Sequence, residues 1–431
     1  RCKTDKSEES KRRRMKRFST FLTEDANGKN LHLEHLEDEI INSGIGGARG
    51  AVNFLRSLRD MMAGNSRSSI NMTVKWDGAP AIFAGIDPAD GKFFVAKKSV
   101  FNKTPLLYKT AKEIDSDARL PASLKPKFKI ALTEFSKLGI KNVLQGDLMY
   151  TSADLETDKI DGQTYTTFQP NTIVYAIPKG SFLERKMKAA KIGVVWHTTY
   201  TGTSLENMKA SFGADTKSLR KPTSIWMDDA TYKDESGTAT FTKAETDQVT
   251  AKLSEVGKAF AKISSAELTK FLRIQASMEG KFVGASIKTY TNSKVRVGQE
   301  VTNPSEHAKG YLTWVEEKFD KEVGKVKTDK TKKAIEDKKT ATLRDLRKLT
   351  GLLVNVIIFQ NLLISAKMMI VSKLNKIKQL TNTFVRTPNG FKVVNPEGYV
   401  AIDRTSGRAV KLVDRMEFSY NNFTAIKAWD R

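Results

Sequence analysis

The sequence predicts an α+β protein in which a β-rich part is divided in two by a large helical segment. Three observations lead to this prediction. Between residues 69 and 199, short runs that alternate apolar and polar residues are separated by turn residues, as in half-buried strands. From about 202 to 383 the apolar spacing becomes helical and lysine is frequent. After the Asn389-Gly390 turn signal, the alternating pattern returns and continues to Val413.

The composition is that of a basic globular protein. Its 431 residues, 39% hydrophobic and 28% charged, are enough for two or three domains with a buried core. Lys and Arg number 73 against 49 Asp and Glu, a net charge of +24. Nucleic acid is therefore the first partner to expect, and an anionic membrane surface the second. The one cysteine, Cys2, excludes a disulfide framework within this sequence and predicts a reducing, intracellular compartment.

These patterns divide the chain into four stretches. Residues 1–30 are polar and basic, and we expect them to be flexible. Residues 31–201 contain a helical lead-in and the first part of the β-rich domain, 202–385 form the helical insertion, and 386–431 complete the β-rich domain. Within the insertion, the apolar stretch 352–371 is interrupted by polar residues and a lysine. A buried helix is therefore predicted there, not a membrane span.

Two segments have alternative interpretations. The glycine-rich stretch 44–50 could cradle a phosphate, but no strand precedes it and no Walker lysine follows, so a turn between helices is favoured. In the stretch 321–348, basic residues outnumber acidic ones about two to one. This stretch is either a solvated helix pair or a surface that follows a phosphate backbone.

A lysine that could act as a covalent nucleophile ends the first predicted strand, in Lys75-Trp76-Asp77-Gly78. A lysine amine attacks only when it is neutral, and nearby positive charge or desolvation lowers its pKa enough for that. The glycine lets the backbone turn tightly beside a ligand. The same four residues are also typical of a surface Asp-Gly turn. Their value as evidence for a nucleophile therefore depends on the other motifs in the sequence.

Several segments, in the right order, resemble the motifs of the covalent nucleotidyltransferases, which include ATP-dependent DNA ligases, RNA ligases and mRNA capping enzymes. Residues 75–78 resemble motif I, KxDG. The other segments contain Lys97 and Lys98 in a basic strand, Asp147 in motif III, Tyr175 in motif IIIa, Glu397-Gly398 in motif IV and Lys411 in motif V. The resemblance implies a ligase-type adenylation domain of antiparallel sheets, interrupted by the helical insertion.

The resemblance also implies a reaction and a role for each residue. Lys75 would attack the α-phosphorus of ATP and leave a lysine–AMP phosphoramidate, with Asp77 and Lys411 as further catalytic residues. A ring at position 175 would stack on the base. The residues implied to contact the nucleotide are Lys75, Gly78, Lys97, Lys98, Asp147, Tyr175, Glu397 and Lys411. Asp147 and Glu397 would hold Mg²⁺.

The sequence departs from the family pattern at three places. Asp147 stands where the usual acid is Glu, and motif V has only Lys411 where two lysines are usual. The sequence ends at Arg431, so we expect no C-terminal OB-fold domain, which favours a compact ligase over a capping enzyme. A second candidate for motif IV is Glu279-Gly280, but a helical pattern precedes it, and Glu397 is preferred.

The expected protein is a viral, phage-type ATP-dependent polynucleotide ligase that uses ATP and Mg²⁺. It would join 3′-hydroxyl and 5′-phosphate ends in nicked or splinted duplexes, with DNA favoured and RNA-containing strands tolerated. Such a protein would be a monomer without membrane contact, in the cytoplasm of an infected or host cell, and would serve DNA repair or replication. The alternatives are an RNA-capping guanylyltransferase and a nucleic-acid-binding protein without catalytic activity.

Overall fold

The fold is that of a computed structural model. The structure describes residues 35–64, 70–229, 240–278, 284–376, 382–387, 390–394, 398–403 and 408–417. Within these ranges the chain combines α-helices with sheets whose strands are antiparallel except for one parallel pair. The predicted α+β class is therefore confirmed at this level.

Fourteen strands and ten α-helices follow one another in the described ranges. The strands are β1 (Ile70–Lys75), β2 (Ala81–Ile86), β3 (Phe93–Ala96), β4 (Val143–Thr151), β5 (Glu156–Ile160), β6 (Gln163–Phe168), β7 (Val174–Pro178), β8 (Ile192–Thr201), β9 (Lys209–Phe212), β10 (Ile225–Asp228), β11 (Asn382–Thr387), β12 (Gly390–Val393), β13 (Gly398–Asp403) and β14 (Arg408–Leu412). The helices are α1 (Glu39–Met62), α2 (Ala111–Ser116), α3 (Lys125–Phe135), α4 (Phe182–Ala189), α5 (Lys243–Ala261), α6 (Ser265–Met278), α7 (Ile287–Val295), α8 (Pro304–Lys325), α9 (Asp329–Lys348) and α10 (Thr350–Leu374).

The strands form three sheets. The largest has the order β10-β8-β4-β2-β3, with β9 added on β8. Helix α3 covers one of its faces, where Phe128 and Phe135 are fully buried and Phe135 meets Trp196 edge to face at 5.2 Å. A second sheet has the order β12-β11-β7-β6-β5, so the chain returns from the helices directly beside β7. The third sheet joins β1 to β13 and β14.

The third sheet connects the β-rich part to the helices. Tyr399 and Leu412 lie opposite each other on β13 and β14, and both are fully buried in the same hydrophobic core as the helices. Side chains alternate between the two faces of a strand. One face of this sheet therefore packs on the helical core, and the alternate residues of its strands lie on the opposite face.

Helix α10 is the centre of the helical part. It is long and apolar enough to cross a membrane by length and composition alone, and no other described helix is. In the structure it packs against α1, α5 and α8, and side chains such as Leu353 and Val356 are fully buried. The buried helix predicted over 352–371 is thus confirmed.

A buried ionic cluster joins α10 to the segment before α1 and, through it, to the segment after β14. Lys367 Nζ donates to Glu37 Oε2 at 2.9 Å, with both side chains only 1% exposed. Arg415 binds Asp38 with two hydrogen bonds of 3.0 and 3.1 Å, and also donates to Asn292 Oδ1 at 2.6 Å. Buried charges are tolerated only when they are paired and hydrogen-bonded, so this cluster holds distant parts of the chain in one arrangement.

The helical part begins later than the predicted insertion and also includes a helix of the predicted lead-in. Strands β9 and β10, which fall within 202–385, belong to the largest sheet, and the helices begin at Lys243. Helix α1, which was assigned to the lead-in, packs on α5 and shares the helical core. The predicted turn at 44–50 is a kink, since Ser43 and Gly44 leave the helical conformation and the helix resumes after them.

Candidate functional site

Lys75 is the last residue of β1 and lies directly opposite Gly398, the first residue of β13. Gly398 has a φ of +137°, and a Cβ atom there would come within 2.6 Å of the Leu412 carbonyl oxygen. Glycine is therefore required at this position. The lysine of the predicted motif I and the glycine of the predicted motif IV are thus neighbours across two strands.

Lys411 lies on the same face of this sheet as Lys75. It pairs with Val400, which lies two residues after Gly398 on β13. Residues opposite each other in antiparallel strands point to one side, as do residues two apart on a strand. From the usual strand spacing and rise per residue, the Cα atoms of the two lysines lie roughly 12 Å apart. Both side chains are half-buried, so a ligand placed on this face would meet two positive charges.

Asp77 is buried and holds the segment after Lys75 in place. Its carboxylate accepts hydrogen bonds from Asn171 Nδ2 at 2.6 Å and from the backbone N–H groups of Thr172 at 2.7 Å and Ile173 at 2.9 Å. Its own N–H donates to Tyr175 Oη at 2.7 Å. The carboxylate is therefore bound by the loop before β7. Its position fits a residue that orients Lys75 rather than one that contacts substrate.

The predicted role of Tyr175 as a ring that stacks on a base is not supported by the geometry. The ring is 3% exposed and stacks against Trp76 at 5.1 Å and Phe168 at 5.3 Å. A base could reach it only by displacing one of these neighbours. The physical reason is that β7 is an inner strand whose Tyr175 faces the core, where its hydroxyl binds the backbone of Asp77.

Gly78 brings the motif I segment against β4. A Cβ atom at Gly78 would lie 2.3 Å from Asp147 Cβ and 2.9 Å from Met149 Sδ. The backbones can approach this closely only because residue 78 is glycine. Asp147 is thereby placed beside the segment that carries Lys75, which is the proximity that the resemblance implied for motifs I and III.

Lys97 and Lys98 follow β3 at the same end of the largest sheet as Asp147. Ala96 pairs with Phe83, and Ala81, two residues away on β2, pairs with Asp147. Lys97 is half-buried and Lys98 is exposed. Of these two lysines, Lys97 is thus the one whose side chain is partly enclosed by the fold.

From the sequence, His197 belongs to a segment, 196–200, that could either line the nucleotide pocket or end a core strand. Its Nε2 lies 3.8 Å from Asp147 Oδ1, and its Nδ1 is 2.8 Å from Thr198 Oγ1. Both His197 and Asp147 are partly exposed, at 29% and 22%. The signal in the sequence was a histidine that directly follows the apolar run 192–196 of β8, but only the pairing of β8 with β4 places it beside the carboxylate.

The implied metal ligands can be compared with the structure only in part. Glu397 and the alternative Glu279 lie outside the described residues. Among the residues that are described, no group of three or more His, Cys, Asp or Glu side chains could hold a metal ion. Mg²⁺ is commonly held by one or two carboxylates together with substrate phosphates, so Asp147 suits the role of a single protein ligand.

Together the fold and the site define a class of protein: an α+β chain in which a strand-end lysine shares a sheet face with a second lysine, and the segment after it packs against a carboxylate-bearing strand of another sheet. The chain belongs to a family of unknown function, DUF6267, whose family model matches residues 30–427. No curated protein and no solved structure matches the chain.

Proposed function

We propose that the protein is a lysine-dependent nucleotidyltransferase, and within that class an ATP-dependent polynucleotide ligase. One observation carries the proposal. Lys75, Gly398 and Lys411 are far apart in the sequence, yet they share one face of one three-stranded sheet. The resemblance to motifs I, IV and V requires this convergence, and no local sequence pattern does.

The chemistry assigned to Lys75 is attack by its neutral amine on the α-phosphorus of ATP. A nitrogen–phosphorus bond forms, the bond from the α-phosphorus to the bridging oxygen breaks, pyrophosphate leaves and the amine loses a proton. Phosphoryl transfer depends mostly on positioning and on neutralising charge. Lys411 and Lys97 would supply positive charge near the phosphates, and Mg²⁺ bound through Asp147 would add to it.

Positioning of the nucleophile is the role proposed for Asp77. The three hydrogen bonds to its carboxylate anchor the backbone two residues after Lys75. Hydrogen bonds to a charged group contribute more than neutral ones, so this anchor is a strong one. A rigid segment keeps the amine near its attack position. Such positioning removes a large part of the activation barrier for a transfer between two bound groups.

A ligase is favoured over other nucleotidyltransferases because of the charge on the helical part. In ligases AMP passes from the lysine to a 5′-phosphate, and a 3′-hydroxyl then displaces it, so the enzyme must hold a polyanion. Helices α8 and α9 pack side by side and expose lysines along their length. The net charge of +24 points the same way.

The test of this function is covalent labelling. We expect that full-length protein incubated with Mg²⁺ and α-labelled ATP, and then denatured, retains the label on the chain. Label from GTP and not from ATP would instead identify a capping guanylyltransferase. Absence of label from either nucleotide would contradict the proposal and leave a binding protein.

A second prediction concerns the binding of nucleic acid by α8 and α9. We expect that replacing five exposed lysines by glutamine weakens binding to nicked duplex DNA but leaves lysine–AMP formation intact. The slope of log K against log[salt] should become shallower by about 0.9 for each phosphate that the protein no longer neutralises. The five lysines are Lys321, Lys327, Lys330, Lys333 and Lys348.

The matched control removes the same number of charges elsewhere on the exposed surface. Its substitutions, also to glutamine, are at Lys103, Lys112, Lys141, Lys217 and Lys221. Equal salt slopes for the two variants would mean that net charge, rather than binding by α8 and α9, governs affinity. The stretch 321–348 would then be a solvated helix pair.

A further inference from the structure

The β-rich part carries an exposed aromatic ring within a basic surface. Phe182, the first residue of α4, is 65% exposed, although large apolar side chains are usually covered. The ammonium group of Lys186 lies 4.4 Å from the centre of its ring. A single exposed apolar residue is common on protein surfaces, so the exposure of Phe182 has meaning only through its surroundings.

The surroundings of Phe182 are strongly positive. Arg185 and Lys186 follow it by three and four residues, which places all three on one side of the helix. Arg185 Nη1 donates to the Gly180 carbonyl oxygen at 2.8 Å, so its guanidinium lies over the turn next to Lys179. Lys179, Arg185 and Lys186 are all exposed.

The only acid in this segment is turned away from the ring. Glu184 is buried, and its carboxylate accepts hydrogen bonds from Thr166 Oγ1 at 2.7 Å and from the Gly180 N–H at 2.5 Å. It also pairs with Lys188 Nζ at 2.7 Å. The Glu184 carboxylate is thereby paired within the protein, and it does not offset the positive charge on the face that carries Phe182.

We propose that Phe182, Lys179, Arg185 and Lys186 form a binding site for single-stranded nucleic acid. In this site a base stacks on the Phe182 ring while the three cations contact the backbone phosphates. Proteins that bind single strands without sequence preference combine aromatic stacking with positive charge in this way. The proposal rests on nucleic acid as the partner of this basic protein, but not on the covalent chemistry of Lys75.

The location of the site suits a nucleic-acid strand whose end approaches Lys75. Strand β7 begins beside Asp77, through the hydroxyl of Tyr175, and its last residue, Pro178, leads into the turn before Phe182. The distance along the strand from Tyr175 to Pro178 is roughly 10 Å. A nucleic-acid strand bound at Phe182 would therefore lie close to the candidate active site.

The experiment measures binding of a fluorescent single-stranded oligonucleotide to the full-length protein by anisotropy. We expect Phe182→Ala to weaken binding between about 5-fold and 150-fold, which is the range for loss of one stacked base. Phe182→Tyr should bind like wild type, because the ring remains. The matched control is Val297→Ala, since Val297 is 66% exposed and equally apolar.

Salt dependence tests the cations separately. Replacing Lys179, Arg185 and Lys186 by glutamine should reduce the salt slope by about 0.7 for each single-strand phosphate that is no longer neutralised. Binding by Phe182→Ala that equals wild type would overturn the proposal. The proposal would also be overturned by a variant that still binds the oligonucleotide but no longer sediments with vesicles containing phosphatidylserine. The segment would then be a membrane contact. Lysine–AMP formation by Phe182→Ala should match wild type, so failure of this site and failure of the proposed function are distinguishable.

Discussion

Replacing Lys75 by alanine is expected to abolish covalent labelling of the protein by α-labelled ATP and all strand sealing. The other lysine on the same sheet face, Lys411, lies two strands away and cannot take over the attack from that position. Lys75→Arg should be nearly as inactive, because a guanidinium stays protonated and is not a nucleophile. Both effects are measured on denaturing gels, where label above background on either variant would show that another residue is the nucleophile.

The control for these variants is Lys103→Ala. Lys103 is exposed and lies outside the candidate site, so labelling should equal that of wild type. Thermal unfolding of the Lys75 variants should stay close to wild type, since the lysine is half-buried at a strand end. A large drop in thermal stability would attribute the loss of label to misfolding, and the comparison would then be made with Lys75→Met, which keeps the length of the side chain.

The second large effect is on stability. We expect Lys367→Met to lower the free energy of unfolding by about 3–5 kcal/mol, because it leaves the Glu37 carboxylate buried without its closest cation. The next cation, Arg415, is 3.6 Å away and already shared with Asp38. The double variant Glu37→Gln with Lys367→Met should recover most of the loss, since an unpaired charge is no longer buried.

The matched control is Lys373→Met on the same helix. Lys373 also pairs with a glutamate, Glu245, at 2.7 Å, but the two side chains are 13% and 28% exposed. Partly solvated pairs are worth about 1 kcal/mol or less. The midpoints of urea unfolding should therefore fall in the order wild type, Lys373→Met, Lys367→Met, and equal midpoints for the two variants would contradict the role of the buried cluster.

The same cluster predicts how stability changes with pH. Burial alone would raise the pKa of Glu37, but Lys367, His35 and Arg415 together lower it to about 2. A carboxylate with a depressed folded-state pKa contributes stability above its unfolded value, and that contribution is lost as pH falls toward the folded value. Wild type should therefore lose this part of its stability between about pH 4.5 and pH 2, and Lys367→Met should not.

The local elements could be predicted from the sequence, and their partners could not. Alternating patterns correctly placed strands such as β3, β8 and β13, and the apolar stretch correctly placed α10. Strand β9 escaped notice because, at only four residues long and with alternating exposed positions, it carries little hydrophobic signal. Its place in the largest sheet depends on antiparallel pairing with β8, the strand directly before it, and the pattern of β9 alone does not reveal that pairing.

The candidate site divides in the same way. Lys75, Gly78 and Asp147 became candidates through the resemblance, since each of its motifs is a short segment that can be compared without knowing the fold. The partners of Asp77 in the loop around Asn171 could not be identified, since nearly a hundred residues separate them and hydrogen bonds to backbone N–H groups leave no residue-type signature. The burial of Tyr175 could not be predicted, because an aromatic residue in a strand has the same local pattern whether it faces a ligand or the core.

The pairing of β1 with β13 also determines when the site can form during translation. Lys75 leaves the ribosome long before Gly398, its partner across the ladder, and helices α5 to α10 are made in between. Translation adds roughly 5–20 residues per second, so about 15–65 s pass between the synthesis of β1 and that of β13. Among the described residues, β13 is the only strand with which β1 pairs. During that time its backbone groups depend on water or a chaperone. A nascent chain therefore acquires the assembled lysine site only after β13 has been translated.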